Sequence, residues 1–460
     1  MKHSRECGWI RRQSRLDQVS DGVPEMLQQA ALSPIVQQLR DGALDLISYV
    51  NEVCNRIEAN EPQIQALLPE ENRRERLLQE AQQLTERFPS TATRPALYGV
   101  LVGVKDIFHV QDFPTRAGSE LPLGLLAGEE ADCIRRFRRA GALILGKTVT
   151  TEFAYFEPGP TRNPWNLDHT PGGSSSGSAA AVAAGFCPLA IGTQTVGSVI
   201  RPAAFCGIVG FKPSYDRIST SGLVFLSPSA DHVGLFAQDV AGMRIAAGVA
   251  CRLWDQSAGQ ASKQPVIGVP EGKYLRQASC AALEAFEKAL QRVQQAGCRV
   301  RAVRALDDIE EINARHKHMI AAEFAVVHRQ WFAQYEQLYR PRTAQLVLDG
   351  RQVDAESLAC GRSGRLVLRQ QLEQLRDKAG IDIWASPAAV TEAPKGIQST
   401  GDPTMNLPWT HAGLPTVTVP TGSSENGLPF GMQLSSASNE DERLLAWAEL
   451  LVKQYIGSAR

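Results

Sequence analysis

Apolar positions near the start of the chain recur at helical intervals. Ile35, Leu39, Leu46, Val50 and Ile57 follow Ser33 and a Pro34 suited to a first helical turn. This spacing predicts helix over 34–87, with a second amphipathic helix at 70–88 ended by Pro89. At residue 97 the texture changes. The run LYGVLVGVKDIFHV is apolar, β-branched and punctuated by glycine, which predicts a buried strand region with Lys105 inside it. A lysine there ordinarily snorkels or pairs, and the neighbouring Asp106 is the plain candidate partner. A helix at 132–140 then leads through Gly141 to the strand ALIL and on to GKTVTTEFAY.

The stretch 171–213 reads PGGSSSGSAAAVAAGFCPLAIGTQTVGSVIRPAAFCGIVGFKP and carries very few charges. A loop of small hydroxyl residues (172–178) runs into an alanine-rich segment that reads as a buried helix. A strand at 188–191 and a second small-residue loop at 192–198 follow. Such density of small residues lets backbone approach backbone or substrate closely, as in a tight core or the floor of an active site. Further on, the pattern predicts short strands through Leu235, a helix at 240–253 and a strand–helix–strand unit at 265–303. Mostly helical, charged sequence fills 306–379; strand texture returns at 381–387, 416–420 and 430–436, and a closing helix starts near Asn439. Mixed α/β with one large sheet is the economical architecture.

With 460 residues the chain can bury a large core, and its 43% hydrophobic and 21% charged residues describe a globular protein rather than a disordered one. The net charge of −1 and basic clusters confined to helical patterns at 72–76 and 135–139 argue against a nucleic-acid groove. Nine cysteines without a CxxC spacing fit a reducing cytoplasm and no structural zinc. The charged N-terminus lacks an apolar stretch, so neither a signal peptide nor a membrane anchor is expected, and 1–33 reads as a poorly ordered extension.

Two short expressions match by accident. GALILGKT at 141–148 fits the P-loop pattern, but a helix precedes it and β-branched residues follow, the reverse of the required order. GSSSG at 173–177 fits the nucleophile elbow of α/β-hydrolases, with Ser175 as nucleophile and His411 as a candidate base. The elbow should follow a strand, whereas NPWNLDHTP reads as a loop, so this remains a minor rival. His316 and His318, near Glu323, point to different faces of a helix and make a poor metal site.

A metal-free hydrolase needs a nucleophile, a base and donors for the developing oxyanion. The few histidines are badly placed for a Ser-His-Asp triad. Lysine is then a candidate base, since burial disfavours its charged form, and Lys105 is the best-placed one. Taken alone, a serine in a Gly-Ser loop more often satisfies local backbone groups.

Lys105 in its apolar run, PGGSSSGS at 171–178 and GTQTVGSVIRPAAFCG at 192–207 together resemble the amidase signature family. The resemblance extends through GKTVTTEFA (146–154), 211–234 and 405–434, and covers roughly 35–455. It implies an α/β/α sandwich, a large mixed sheet flanked by helices, over a single amidase domain at 34–455. Within that domain come a helical part (34–90), a signature core (95–250), a variable part (265–380) and a return to the core (381–455). It further implies Ser198 as nucleophile, Ser174 as bridging serine joined to Gly173 by a cis peptide, and Lys105 as terminal base. The backbone N–H groups of Thr195, Val196, Gly197 and Ser198 would line the oxyanion hole. Arg201 resembles an arginine that holds a substrate carboxylate in the malonamidase branch; a structural ion pair is the alternative. Val196 stands where many members have glycine, Ser176 and Asp216 replace two further glycines, and Gln194 replaces a frequent aspartate. Since valine is barred from positive φ, the loop must have ordinary backbone geometry at 196. Gln194 tilts the resemblance toward small-amide amidases.

The expectation is therefore an amidase that splits a carboxamide to carboxylate and ammonia or amine, without cofactor or metal. A small-molecule amide is the expected partner, and a homodimer is implied by resemblance alone. Two alternatives stay open: the A subunit of a tRNA-dependent amidotransferase acting as a glutaminase, and a protein that binds an amide without turning it over.

Overall fold

The computed structural model describes residues 26–258 and 263–456. The helix predicted across 34–87 is three helices, Leu32–Asp41, Leu46–Ile64 and Arg73–Arg87. The first stops at Gly42, whose φ of +83° is left-handed, and Asp45 starts the second by accepting from the Ser48 N–H. Leu27, Ala30 and Leu32 are buried, so packing begins ahead of residue 34, while 1–25 lie outside the described residues.

Ten strands form one sheet. In chain order they are β1 (Leu101–Lys105), β2 (Leu143–Thr148), β3 (Leu189–Gln194), β4 (Val209–Lys212) and β5 (His232–Ala237). The second half adds β6 (Ile267–Glu271), β7 (Val300–Arg304), β8 (Ile383–Pro387), β9 (Thr416–Ser423) and β10 (Pro429–Ser435). The spatial order is β2-β1-β3-β5-β4-β9-β10-β8-β6-β7. Parallel pairing at both ends, β2-β1-β3 and β8-β6-β7, flanks antiparallel pairing in the middle, so the sheet is mixed and helix-covered as expected. Among the described residues no helix is long and apolar enough to cross a membrane.

Three expectations change. β3 runs on through Gln194, taking in the first three residues (192–194) of what reads as a loop, because it pairs with β5 as far as His232. Between Pro213 and Asp231 there is no regular strand; that segment is tied down by side chains, as where Asp441 accepts from the Ser214 N–H at 2.8 Å and its hydroxyl at 2.7 Å. Asp106, the candidate partner of Lys105, instead meets Lys147 of β2, whose Nζ lies 2.7 Å from Asp106 Oδ1 in a buried ion pair. Asp106 is thereby occupied by Lys147.

The pairing positions the site. β1 and β3 are parallel neighbours, with Val104 opposite Ile191, so their C-terminal ends emerge side by side. The helix Ser176–Ala183 packs against both strands and is buried at every residue. Its small residues are a packing requirement. A Cβ on Gly177 would lie 2.2 Å from the Ala66 carbonyl oxygen.

Candidate active site

Lys105 ends β1 with no exposed surface. Its Nζ lies 2.7 Å from Ser174 Oγ and 2.9 Å from Thr193 Oγ1, the latter on the neighbouring strand β3. Burial pushes the amine down to about 7, against the pull of the Asp231 carboxylate, which favours the charged form. An amine so tuned is available as a base near neutrality. The Gly173–Ser174 peptide is cis, as the resemblance implies, and its carbonyl accepts from Arg201 Nη2 at 2.7 Å.

Ser198 lies just beyond β3, only 8% exposed, on a small inner cavity that it shares with Ser174, Thr195, Val196, Gly197 and Arg201. The structure thus joins Lys105 to Ser174 directly and brings Ser198 to the same cavity without a hydrogen bond to either.

The loop between β3 and the helix Ile200–Phe205 supplies donors. Among the described residues nothing accepts from the N–H groups of Thr195, Val196, Gly197 or Ser198, whereas those of Val199 and Ile200 donate to Gln194 Oε1 at 2.8 and 2.9 Å. Val196 has no positive φ, as its branched side chain requires, while Asp216 does take one of +62°. Glycine at 197 is dictated by contact, since a Cβ there would fall 2.4 Å from Asn406 Oδ1. Thr195 Oγ1 donates to Asp231 Oδ1 at 2.5 Å, and the other carboxylate oxygen accepts from the N–H groups of Leu226 and Ser227.

Arg201 is 1% exposed. Its Nη2 donates to the Gly173 carbonyl and, at 3.2 Å, to Thr400 Oγ1, while Nε and Nη1 have no partner among the described residues. No carboxylate of the described residues pairs with it within ion-pair distance, so the ion pair held open as an alternative does not form there. Burial lowers the guanidinium to about 10, with Asp402 acting in the opposite sense, and it remains a cation at neutral pH.

The elbow reading does not assemble. Ser175 Oγ is engaged with the backbone of Thr193, donating to its carbonyl and accepting from its N–H, while His411 faces His316. His316 is buried and His318 exposed on the same helix, and Glu323 accepts from Ser227, Ser229 and Arg362. Thr193, Asp231, Thr410 and His316 escape sequence reasoning as site residues. Thr193 lies inside the GTQT motif, and Asp231 and Thr410 lie inside the stretches 211–234 and 405–434 of the resemblance, whereas His316 carries no such signal.

Outward of the serines, a second cavity of about 720 Å³ shares Tyr155, Phe156, Val196, Ile320 and Pro403 with the inner one. Its far wall includes Leu346 and Asp349, from the helix-rich segment that reads as least informative.

Comparison with known proteins agrees with this architecture. The family profile described as Amidase matches residues 48–445. The glutamyl-tRNA(Gln) amidotransferase A subunit of Rippkaea orientalis is 28% identical over 90% of this chain and 95% of its own. Among solved structures, a crystal structure of an amidase superposes with a TM-score of 0.83 at 30% identity, covering 92% of this chain and all of the other. A chain of a vestigial protein complex bearing on the origins of an s-triazine catabolic enzyme reaches 0.83 at 27%, over 93% of this chain and 99% of that one. On the profile match and these full-length likenesses, the chain belongs to the amidase signature family.

Proposed function

We propose that this protein is an amidase that hydrolyses a small carboxamide through an acyl-enzyme on Ser198. The observation that carries the reading is the buried contact of Lys105 Nζ with Ser174 Oγ at 2.7 Å, on the same cavity as Ser198 and a row of unengaged N–H groups. Neutral Lys105 takes a proton from Ser174 as Ser174 takes one from Ser198, whose oxygen attacks the carbonyl carbon. The oxyanion forms against the N–H groups of Thr195, Val196, Gly197 and Ser198. The proton returns by the same path to the leaving nitrogen, the C–N bond breaks, and water repeats the cycle on the ester.

Arg201 supports a substrate that carries a carboxylate. A buried guanidinium with no counter-ion among the described residues and two unused nitrogens gains most from an anion delivered by the ligand. The alternative reading, the glutaminase component of an amidotransferase, draws on the amidotransferase relatives, whose likeness spans nearly the full chain. Gln194 counts against it, and a co-purifying partner together with release of ammonia from glutamine would favour it. A protein that binds an amide without cleaving it would form no acyl-enzyme.

The test is labelling with a fluorophosphonate followed by peptide mapping, on wild type, Lys105→Ala and Ser174→Ala. We expect label on Ser198 in the wild type and its loss in both variants. Label on another serine, or undiminished labelling without Lys105, overturns the mechanism.

A further inference from the structure

His316 lies on the helix Ile309–Val327 and His411 at the end of the helix Leu407–His411; both are fully buried. His316 Nε2 is 3.0 Å from the Thr195 carbonyl oxygen, and its Nδ1 is 3.1 Å from His411 Nδ1, with the rings nearly perpendicular. A carbonyl oxygen only accepts, so His316 carries its proton on Nε2. Burial lowers His316 to about 4 and His411 to about 2, so both rings are neutral at neutral pH. His316 Nδ1 is therefore a bare acceptor, and His411 donates to it. His411 Nε2 faces Gly364 and has no hydrogen-bond partner among the described residues. The two rings form a one-way chain of donors that ends on the Thr195 carbonyl.

That carbonyl shares a planar unit with the Val196 N–H. In a trans peptide the two point in opposite directions, so fixing the oxygen fixes the hydrogen. The next peptide is held likewise: the Val196 carbonyl accepts from Thr410 Oγ1 at 2.6 Å, which orients the Gly197 N–H. Thr410 is in turn oriented by Gln194 Nε2 at 2.9 Å. We infer that His316, backed by His411, is a positioning residue that holds the Thr195–Val196 peptide so that the Val196 N–H faces the developing oxyanion. The inference rests on the acyl-enzyme reading above and adds to it an element that no nucleophile or base motif contains.

Two replacements separate positioning from bulk structure. In His316→Gln the side-chain amide nitrogen can occupy the place of Nε2 and still donate to Thr195. In His316→Asn the amide reaches only as far as Nδ1, so it keeps a partner for His411 and loses Thr195. The readout is inactivation by a fluorophosphonate, whose phosphoryl oxygen enters the oxyanion hole, separated into kinact and KI. Removing one oxyanion donor costs about 10²–10³ in rate in other hydrolases, so kinact in the Asn variant should fall on the order of 10²-fold. KI should stay within about threefold, and the Gln variant should keep kinact within about fivefold, since only the transition-state contact is lost. Wild-type kinact in the Asn variant, or equal losses in both variants, overturns the role of His316. A wild type that takes no label on Ser198 overturns the acyl-enzyme reading and this inference with it. A labelled wild type with an unaffected Asn variant removes His316 alone.

Discussion

The charge state of Lys105 is set mainly by loss of water, with the Asp231 carboxylate pulling the other way, and this fixes the direction of the pH response. In the proposed mechanism the working form is the neutral amine. With the group at about 7, kcat/KM should rise through neutrality and level off above it. Below the midpoint it should fall about tenfold per pH unit, as for any single required deprotonation. A flat profile between pH 5 and 9 would assign the base elsewhere. Lys212 is pushed down to about 7 as well, but its Nζ donates to the carbonyls of Pro213 and Leu414, away from the serines. Replacing Lys105 by Met, close in length and unable to titrate, should lower kcat on the order of 10³-fold, the scale of a lost general base. Arg201 makes a different prediction. In Arg201→Gln, KM for an amide with a terminal carboxylate, such as succinamate, should rise about 10- to 100-fold over any change for butyramide, as expected for losing a charged hydrogen bond. Because Nη2 also supports the Gly173 carbonyl, some loss of kcat common to both amides is expected; only the excess for succinamate reports carboxylate binding.

The loop after β3 shows how a short element is held by others distant in sequence. Gln194 accepts from the Val199 and Ile200 N–H groups at the entrance to the next helix and donates to Thr410. Gln194→Ala leaves two buried N–H groups unpaired and should lower unfolding free energy by about 1–3 kcal/mol, with kcat falling as the donors lose their aim. Chemical denaturation of the variant beside its steady-state kinetics checks both parts, and unchanged stability would show that water takes over the amide. Sequence reading reaches this element where chemistry and local pattern coincide. Lys105 is conspicuous as a lone charge in an apolar strand, and Ser174 and Ser198 stand in long, specific motifs. It fails where the third dimension decides. His316 sits in a helix whose apolar spacing says only which face is inward. That this face meets the Thr195 carbonyl depends on how a helix more than a hundred residues away packs on the loop. Asp106 shows the same limit in reverse, since adjacency to Lys105 suggested a pair that the register of β1 with β2 gives to Lys147.

Over the whole molecule, alternating helical and strand textures made a mixed α/β sheet legible, but not the order of its strands. The interleaving of β9 and β10 between the two parallel groups is a long-range choice that periodicity does not encode. The consequence for function is a site at two depths. The inner cavity at Ser198 has only about 10 Å³ of free volume, near the space of one water, while the outer one has about 720 Å³. We expect a substrate amide to reach the serines past the side chains that the two cavities share. Of the two half-buried aromatics in that set, Tyr155 and Phe156, which meet edge-on, Phe156 is the one without a polar group. Shortening it should widen the passage without removing a fully buried core residue. In Phe156→Ala, kcat/KM for an anilide relative to the matching primary amide should rise by about fivefold or more, within the range by which pocket volume discriminates between substrates. The ratio is the useful quantity, because a general loss of activity cancels from it. A ratio unchanged from wild type would mean that the large amine does not pass Phe156, and that the route to Ser198 lies along the Ile320 and Pro403 side of the shared wall.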